Sequence, residues 1–277
     1  MIIRKAVIPA AGEGMRLHPI TRLIPKEMLP VLNKPLIQYA IEELVEAKIS
    51  QIAIITSSRK PLIKQYLTSS SVTSDKNWFS KNIELEFIIQ DEPKGLGNAI
   101  LHAKDFVGNS PFIVCLPDDL VFHSMSAVRQ LMTQYELLQN SLVGIVKVPP
   151  EQIPNYGIIK PIDQSNQQSF GIQYFIEKPI IEDAPSNLAV IGRYLFDSLI
   201  MDQLGELSCA VPNNELLNSA MNSLAKKRQI SATLIAGTRV DAGSVLGITQ
   251  ASTYQLLQNS PLGSQLRIFL ESIANHN

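Results

Sequence analysis

The first informative stretch of the chain is KAVIPAAGEGMR, Lys5–Arg16. Its opening residues, Lys5–Pro9, form a short apolar run that predicts a buried β-strand. Two alanines and two glycines follow within the next five residues, and Arg16 lies just beyond them. A strand that leads into a glycine-rich turn is a common way to hold phosphate, because exposed backbone N–H groups can point at anionic oxygens.

Short apolar runs alternate with segments of helical periodicity through the first half of the chain. We expect strands at Lys5–Pro9, Gln51–Thr56, Ile83–Gln90 and Phe112–Leu116. Pro35–Val45 begins with proline and has apolar residues at i, i+3 and i+4 spacing, which predicts a helix with one buried face. Further helices are expected after Gly97 and over about residues 124–139. This alternation predicts parallel βαβ units with helices on both faces of one sheet.

The second half of the chain is richer in strands. We expect strands at Leu142–Val148, Gly157–Pro161, Gln173–Ile176 and Leu188–Phe196, and helices near residues 214–227, 244–258 and 262–273. The polar run SSSVTSD, Ser69–Asp75, is predicted to be an exposed loop. Neither a repeat nor a long linker divides the sequence. We therefore predict a single mixed α/β domain over residues 1–277, with a mostly parallel central sheet.

The composition excludes several classes of protein. The chain has 277 residues and a formal net charge of −1, with 45% hydrophobic and 18% charged residues, as in an ordinary globular protein. Without a global positive charge, neither nucleic acid nor an anionic membrane is expected as a partner. The first 34 residues nevertheless carry six basic and two acidic side chains. This local imbalance favours a small basic pocket for a small anion.

The sequence also indicates a cellular compartment. No run approaches the ~18 uninterrupted apolar residues of a membrane span, and Arg4 and Lys5 interrupt the place where a signal peptide would have its apolar core. The two cysteines, Cys115 and Cys209, are too few for a disulfide framework or a four-thiolate zinc site. We expect a cytoplasmic, reduced protein.

Two familiar phosphate-binding motifs do not fit the glycine turn. The dinucleotide fingerprint needs a third glycine, but GEGMRL has Leu17 at that place, and the second predicted strand ends in Thr56-Ser57-Ser58 where a ribose-binding acid is expected. The Walker pattern fails because no Gly-Lys-Ser/Thr follows the turn. A Rossmann oxidoreductase is therefore disfavoured, and a purely structural tight turn would explain the glycines alone about as well.

The residues downstream strengthen the case for a polyphosphate site. RLHPIT is followed by IPKEMLP, in which prolines flank Lys26 and limit where that side chain can point. Arg16 and Lys26 together can neutralise a polyphosphate, one as a planar fork and the other as a point charge.

These motifs resemble those of the sugar-1-phosphate nucleotidylyltransferases. The pattern G-x-G-x-R-x-x-P…P-K-x-x-L-P is the signature of the family, and PKEMLP with KPLIQY (Lys34–Tyr39) is similar to its bacterial UTP–glucose-1-phosphate uridylyltransferases. The resemblance covers about residues 3–255 and implies a Rossmann-like nucleotidyltransferase domain. It also implies a nucleotide-binding half at about 1–122, a sugar-phosphate-binding half at about 123–250 and a C-terminal helical segment at about 251–277.

The resemblance implies a role for particular residues. The nucleotide would lie against Ala10, Ala11, Gly12, Glu13 and Gly14, with Gln90 and Gly95 of QDEPKGLGNA contacting the uracil. The sugar phosphate would be bound by Gly157 of YGII, Glu177 and Lys178 of FIEKP, and Asn187 of APSNLAVIGRY. Mg²⁺ would be held by Asp118, the first acid of Leu116-Pro117-Asp118-Asp119, and by Asp241 of VDAGS. Arg16, Lys26 and Lys178 would be the catalytic residues.

The implied reaction is nucleotidyl transfer from UTP to α-D-glucose 1-phosphate, giving UDP-glucose and pyrophosphate. A phosphate oxygen of the sugar attacks the α-phosphorus in line, so positioning and charge neutralisation suffice and no covalent nucleophile is needed. Mg²⁺ prefers carboxylate and phosphate oxygens, so two acids suffice as protein ligands. The four histidines, His18, His102, His123 and His276, lack a metal-binding or triad spacing and are interpreted as structural or surface residues.

Three departures from the family pattern leave alternatives open. Met15 replaces the usual Thr or Ser, Ala242 replaces a cysteine, and NNELLNSA (Asn213–Ala220) lacks the aspartate of Thr-Asp-Ala, although Glu215 remains. A catalytically weak homologue that binds nucleotide sugar and regulates a partner is one alternative. The same enzyme class with dTTP, CTP or another hexose 1-phosphate is another. A segment found between the second and third strands of many relatives is missing, so a homo-oligomer remains one option.

Overall fold

The computed structural model describes residues 3–69, 83–163, 168–259 and 261–274. Apart from Ser69, the predicted loop over Ser69–Asp75 lies outside the described residues. The strands are β1 Lys5–Pro9, β2 Pro30–Val31, β3 Lys34–Pro35, β4 Gln51–Thr56, β5 Glu84–Ile89, β6 Phe112–Cys115, β7 Asp119–Phe122, β8 Ser141–Lys147, β9 Gly157–Pro161, β10 Ser169–Glu177, β11 Leu188–Phe196, β12 Ile230–Leu234 and β13 Thr238–Asp241.

The α-helices are α1 Leu36–Glu46, α2 Pro61–Thr68, α3 Gly95–Leu101, α4 Lys104–Val107, α5 Ala127–Leu138, α6 Leu199–Leu207, α7 Leu216–Lys226, α8 Val245–Asn259 and α9 Gly263–Ala274. Short 3₁₀ turns occur at Met15–Leu17, Ile20–Arg22, Lys26–Met28, Pro150–Asn155 and Ile181–Asp183. The helix expected after Gly97 begins two residues earlier, at Gly95, and α2 and α6 were not predicted.

A nine-stranded mixed sheet forms the centre of the described structure, in the order β5-β4-β1-β6-β11-β8-β12-β10-β9. The strands β5, β4, β1 and β6 pair in parallel, as expected of βαβ units. Strand β11 is antiparallel to both β6 and β8, and β10 is antiparallel to both β12 and β9. The other described strands of this sheet share one direction, which confirms the prediction of a mixed sheet; four of its pairings are parallel and five are antiparallel.

Helices cover both faces of this sheet because its buried strands are apolar on both sides. In β1, Val7 packs into the core on one face, with Ile200 of α6 and Leu216 of α7. Ala6 and Ile8 pack on the opposite face, with Ile41 of α1 and others. Five of the six apolar positions that predicted helix α1, namely Leu36, Ile37, Ala40, Ile41 and Leu44, are fully buried.

A separate two-stranded ribbon brings two distant segments together. It consists of β7 and β13, which are antiparallel with Asp119 opposite Asp241. Each strand has four residues, and charged residues (Asp119 in β7, Arg239 and Asp241 in β13) leave no continuous apolar run to predict from sequence. The ribbon lies where β6 ends, and it sets the position of two of the acids that the sequence analysis singled out.

No helix within residues 3–69, 83–163, 168–259 and 261–274 is both long enough and apolar enough to cross a membrane. Both cysteines are free thiols, with Cys115 buried in β6 and Cys209 exposed.

Candidate active site

Two adjoining cavities open where β1 and β6 end. The first has a volume of about 380 Å³ and the second about 420 Å³. Leu96, Leu116 and Asp118 line both cavities, so the two meet at Asp118. Their position agrees with the rule that ligands of open α/β sheets bind beyond the carboxyl ends of the strands.

The glycine turn after β1 forms one wall of the first cavity. Ala11, Gly12, Glu13 and Gly14 line it, whereas Ala10 is fully buried behind them. Gly14 has φ of +68°, and a Cβ there would lie 3.2 Å from Cβ of Lys26, so glycine suits this position. None of the backbone N–H groups of residues 11–16 donates a hydrogen bond to another described residue. The turn therefore offers a row of donors to a ligand in the cavity.

The opposite wall of the first cavity contains Gln90 and Gly95. Gln90 is buried, and its Nε2 donates to Oδ1 of Asn98 at 2.7 Å, which fixes the amide. Gly95 has φ of +84°, and a Cβ there would lie 2.8 Å from the carbonyl oxygen of Asn213. Glycine at this position thus permits both the turn and the close approach of the 213–217 segment.

Asp118 lies at the junction of the cavities and is paired with Lys26. Nζ of Lys26 is 2.5 Å from Oδ2 of Asp118, and both side chains are mostly buried. Burial alone would raise the pKa of Asp118, but the attraction of Lys26 outweighs it and the pKa is lowered. Burial alone would lower the pKa of Lys26, but Asp118 outweighs that effect and the pKa is raised. The pair is therefore fully ionised at neutral pH.

The second acid, Asp241, faces the same space as Asp118. The backbone N–H of Ala242 donates to the carbonyl of Asp118 at 2.7 Å, which joins the two segments. A Cβ on Gly243 would lie 2.9 Å from Oδ2 of Asp118 and 2.9 Å from Oδ1 of Asp241, and Nη2 of Arg16 would be closer still. Nη1 of Arg16 pairs with Oδ2 of Asp241 at 3.1 Å. Two carboxylates thus converge on one small space that the missing side chain of Gly243 keeps open.

Asp119 has a different role from its neighbour Asp118. Nε of Arg239 lies 2.6 Å from Oδ1 of Asp119, and Nη2 lies 3.0 Å from Oδ2. Oδ2 also accepts the backbone N–H of Gly192 at 2.7 Å. Because both of its oxygens are used, Asp119 is a structural acid, and Asp118 is the one that faces the space at Gly243.

The second cavity is lined by Gly157, Glu177 and Lys178. A Cβ on Gly157 would lie 3.1 Å from Oε2 of Glu177, so glycine gives that carboxylate room. Burial raises the pKa of Glu177, and the neighbouring Lys178 only partly opposes this. Lys178 has φ of +46°, an unusual value for a residue with a side chain, and its backbone N–H donates to the carbonyl of Tyr156 at 3.0 Å.

Arg239, Asn214 and Asn218, which sequence reasoning did not assign, complete the second cavity beside Tyr156 of the YGII motif. Nη1 of Arg239 donates to the hydroxyl of Tyr156 at 2.6 Å, and the guanidinium lies 4.6 Å from the centre of that ring. Asn214 and Asn218 line the cavity, whereas Glu215, between them, does not. In the segment NNELLNSA, the i, i+4 spacing of Asn214 and Asn218 is the sequence signal that could have indicated this placement.

Other predicted residues lie apart from the cavities. Asn187 is exposed, its carbonyl accepts the backbone N–H of Val148 at 3.0 Å, and it lines neither cavity. Ala242 is fully buried among apolar side chains, which fits a packing role. His18, His102 and His123 line neither cavity, and His276 lies outside the described residues.

The two predicted basic residues do line the cavities. Lys26 lines the first cavity, and Arg16 lines the second.

The carboxylates of Asp118 and Asp241 suit a metal ion whose remaining coordination positions are filled by atoms of a bound ligand. In the described residues, no group of three or more His, Cys, Asp or Glu side chains could hold a metal ion. Asp118 and Asp241 supply two carboxylates, which is the usual protein share for Mg²⁺ bound together with phosphates.

Comparison with known proteins identifies relatives over nearly the whole length. Residues 5–255 match the model of the family described as nucleotidyl transferase. UTP–glucose-1-phosphate uridylyltransferase of Bacillus subtilis is 38% identical, over 99% of this chain and 98% of that protein, and its relative YngB of the same organism is 37% identical, over 98% and 95%.

Solved structures show the same similarity. A UDP-glucose pyrophosphorylase of Acinetobacter baumannii aligns with a TM-score of 0.87 at 31% identity, over 98% of this chain and all of that one. A UDP-glucose pyrophosphorylase in complex with UDP-glucose aligns with a TM-score of 0.83 at 39% identity, over 91% and 98%.

Proposed function

The chain belongs to the nucleotidyl transferase family, and we propose that it is a UTP–glucose-1-phosphate uridylyltransferase of UDP-glucose biosynthesis. It transfers the uridylyl group of UTP to α-D-glucose 1-phosphate and releases pyrophosphate. The observation that carries this proposal is the pair of cavities that meet at Asp118. One is walled by backbone N–H groups that donate to no other described residue, and the other by Glu177 and Lys178. Full-length relatives named for this activity support it.

We assign UTP to the first cavity, within the half formed by about residues 1–122. The backbone N–H groups of Ala11–Gly14 donate to the triphosphate. Its charge is neutralised by Lys26 of the same cavity and by Arg16, which lines the adjoining second cavity. The uracil lies against Gln90 and Gly95, whose amide and bare backbone select a pyrimidine. Ala10 supports the turn from behind.

Glucose 1-phosphate is assigned to the second cavity, within the half formed by about residues 123–250. Glu177 accepts hydrogen bonds from sugar hydroxyls, and Lys178 pairs with the sugar phosphate. Gly157 leaves room for the sugar beside Glu177. Asn187 is assigned to this half from the family motif in which it stands, and it lines neither cavity of the free protein.

We propose Mg²⁺ as the cofactor, held by Asp118 and Asp241, with phosphate oxygens and water as further ligands. When bound, the ion neutralises negative charge on the reacting phosphates. The convergence of both carboxylates on the space at Gly243 supports this assignment. In the free protein Lys26 pairs with Asp118, and Arg16 pairs with Asp241. When the two carboxylates bind a metal ion, both basic side chains become available to phosphate.

The chain's own residues perform the reaction by positioning and by charge. A phosphate oxygen of glucose 1-phosphate forms a bond to the α-phosphorus of UTP while the bond to the β-phosphate oxygen breaks in line. Lys178 holds the attacking phosphate, and Lys26 and Arg16 neutralise the charge that develops on the leaving pyrophosphate. Holding both reactants in adjoining cavities accounts for much of the rate enhancement in such reactions.

The proposal is tested by mixing purified protein with UTP, glucose 1-phosphate and Mg²⁺ and measuring pyrophosphate release. Release should stop when the metal is chelated and resume when Mg²⁺ is restored. A lack of turnover at high enzyme concentration, together with tight binding of UDP-glucose in calorimetry, would instead favour a binding protein that regulates a partner. The exposed Met15 in the nucleotide cavity is the feature that favours this second function.

Substrate choice is tested by measuring turnover for UTP, dTTP and CTP against several hexose 1-phosphates. We expect the highest kcat/KM for UTP with glucose 1-phosphate. A cytoplasmic location is also proposed, since the two free thiols fit a reducing compartment.

A further inference from the structure

Lys60 lies behind the glycine turn, at the end of the loop between β4 and α2. Its side chain is only 11% exposed. Nζ donates to the carbonyl oxygens of Ala10 at 2.8 Å and Gly12 at 2.5 Å, and to Oε2 of Glu27 at 2.9 Å. A lysine ammonium has three N–H donors, so all three are used.

These contacts orient the peptide groups of the turn. In a planar trans peptide, the C=O of one residue and the N–H of the next point in opposite directions. Because Lys60 draws the carbonyls of Ala10 and Gly12 toward itself, the N–H groups of Ala11 and Glu13 point away from it. Ala11 and Glu13 line the first cavity, and neither N–H donates to another described residue. The buried ammonium of Lys60 thus binds the carbonyl oxygens of the turn on the side away from the cavity. The N–H groups of Ala11 and Glu13 stay available to a ligand in the cavity.

Glu27 extends the same contact to a second segment. It is fully buried in the turn Lys26–Met28, so the Lys60–Glu27 ion pair ties that turn to the glycine turn. Lys26, the next residue, reaches Asp118 at the junction of the two cavities. The relative position of the glycine turn and Lys26 therefore depends on Lys60.

We propose that Lys60 is a positioning residue for UTP. It presents the backbone donors of the glycine turn to the triphosphate and fixes Lys26 relative to them, without itself touching the substrate. This inference rests on the proposed function. Its chemistry is that of a backbone anion site whose carbonyls are neutralised from behind by a buried cation.

The test compares Lys60→Met with the double variant Lys60→Met/Glu27→Leu. The single variant leaves Glu27 buried without its cation, which destabilises the protein. The double variant removes both charges in favour of apolar groups, which is often neutral for stability. We expect the dissociation constant and KM of Mg²⁺–UTP to rise roughly tenfold or more in both variants. KM for glucose 1-phosphate should stay within about twofold of wild type, and stability should recover only in the double variant.

Lys5→Met is the matched control. Nζ of Lys5 also donates to two backbone carbonyls, those of Phe106 at 2.6 Å and Val107 at 3.2 Å, but at the other end of β1. Its loss should lower stability and leave UTP affinity unchanged. The inference is overturned if the double variant binds UTP like wild type, or if Lys5→Met weakens UTP binding equally. A wild-type protein that neither binds nor turns over UTP would refute the proposed function itself.

Discussion

At the scale of single residues, Met15 is the clearest departure from the family pattern. It is 72% exposed and lines the cavity assigned to UTP. The nearby hydroxyl of Thr21 is already bonded to the carbonyl of Gly14 at 2.8 Å. No hydroxyl at residue 15 is therefore available to the triphosphate, and the neighbouring threonine does not replace it.

We predict that Met15→Thr raises kcat/KM for UTP. A hydroxyl bonded to a phosphate contributes about 1 to 3 kcal/mol, which corresponds to roughly ten- to a hundred-fold in rate. Steady-state kinetics at saturating glucose 1-phosphate measures the change. Met15→Val is the control because valine has the shape of threonine without the hydroxyl. Equal gains in the two variants would show that size, rather than hydrogen bonding, matters at this position.

Glu177 predicts a pH dependence of sugar binding. Burial raises its pKa above the ordinary 4.5, so the carboxylate becomes protonated at a pH above that value and one of its oxygens turns from an acceptor into a donor toward the sugar hydroxyls. We expect the kcat/KM of wild type for glucose 1-phosphate, divided by that of Glu177→Gln, to be constant near neutral pH. The ratio should fall as the pH is lowered toward the raised pKa. Both proteins meet the same substrate, so its own titration cancels, and a flat ratio down to pH 4.5 would contradict the prediction.

At the scale of elements, the close packing of α3 on α7 depends on one glycine. A Cβ on Gly97 would lie 2.7 Å from the backbone N of Leu217. Leu217 and Asn218 line the second cavity and Leu96 lines both cavities, so this contact also sets the distance between the two ligand sites. Side chains larger than hydrogen would push the helices apart.

We predict that Gly97→Ala lowers the free energy of unfolding by about 1 to 3 kcal/mol, the usual cost of overpacking. Gly205→Ala, in α6, is the control because its Cβ would meet no heavy atom within 4 Å. That substitution should raise stability by about 0.5 to 1 kcal/mol through helix propensity. Urea denaturation of both variants measures the difference. If the two substitutions changed the free energy of unfolding by similar amounts in the same direction, the close contact with Leu217 would not be what requires glycine at residue 97.

At the scale of the whole molecule, a buried ion pair connects three parts of the fold. Arg193 of β11 is 1% exposed and pairs with Glu43 of α1, with Nη2 at 2.7 Å from Oε2. Nη1 donates to the carbonyl of Leu116 at 2.9 Å, two residues before Asp118. Helix α1, the antiparallel strand β11 and the end of β6 are therefore held together at the base of the site.

We predict that Arg193→Met lowers the free energy of unfolding by about 3 to 5 kcal/mol, because Glu43 would stay buried without its cation. Arg129→Met removes another arginine that contacts α1, through Glu46 at 3.2 Å, but both of those side chains are about half exposed. The loss there should be below about 1 kcal/mol. Denaturant unfolding distinguishes the two, and equal losses would refute the distinction between buried and exposed pairs.

Much of the fold could be predicted because its signals are local. The apolar run Lys5–Pro9 is β1 to the residue, and the apolar spacing of Pro35–Val45 matches helix α1 within one residue at each end. The strands of the ribbon were missed because charged residues leave neither of them a continuous apolar run, whereas β6, which is equally short, is apolar throughout. Helix α2 was also missed, although Pro61 stands at its first turn, where proline is favoured.

The sequence alone specifies the β-strand that leads into a bare turn, the positive charges beyond it and the order of the motifs, because each of these is a property of neighbouring residues. Only the tertiary structure shows what each acid contacts: Arg239, 120 residues away, pairs with Asp119, whereas Asp118 and Asp241 converge on the space at Gly243. Likewise, only folding places Lys60 behind Gly12, 48 residues away. Such contacts arise from the pairing and packing of distant strands and helices, which no local spacing records.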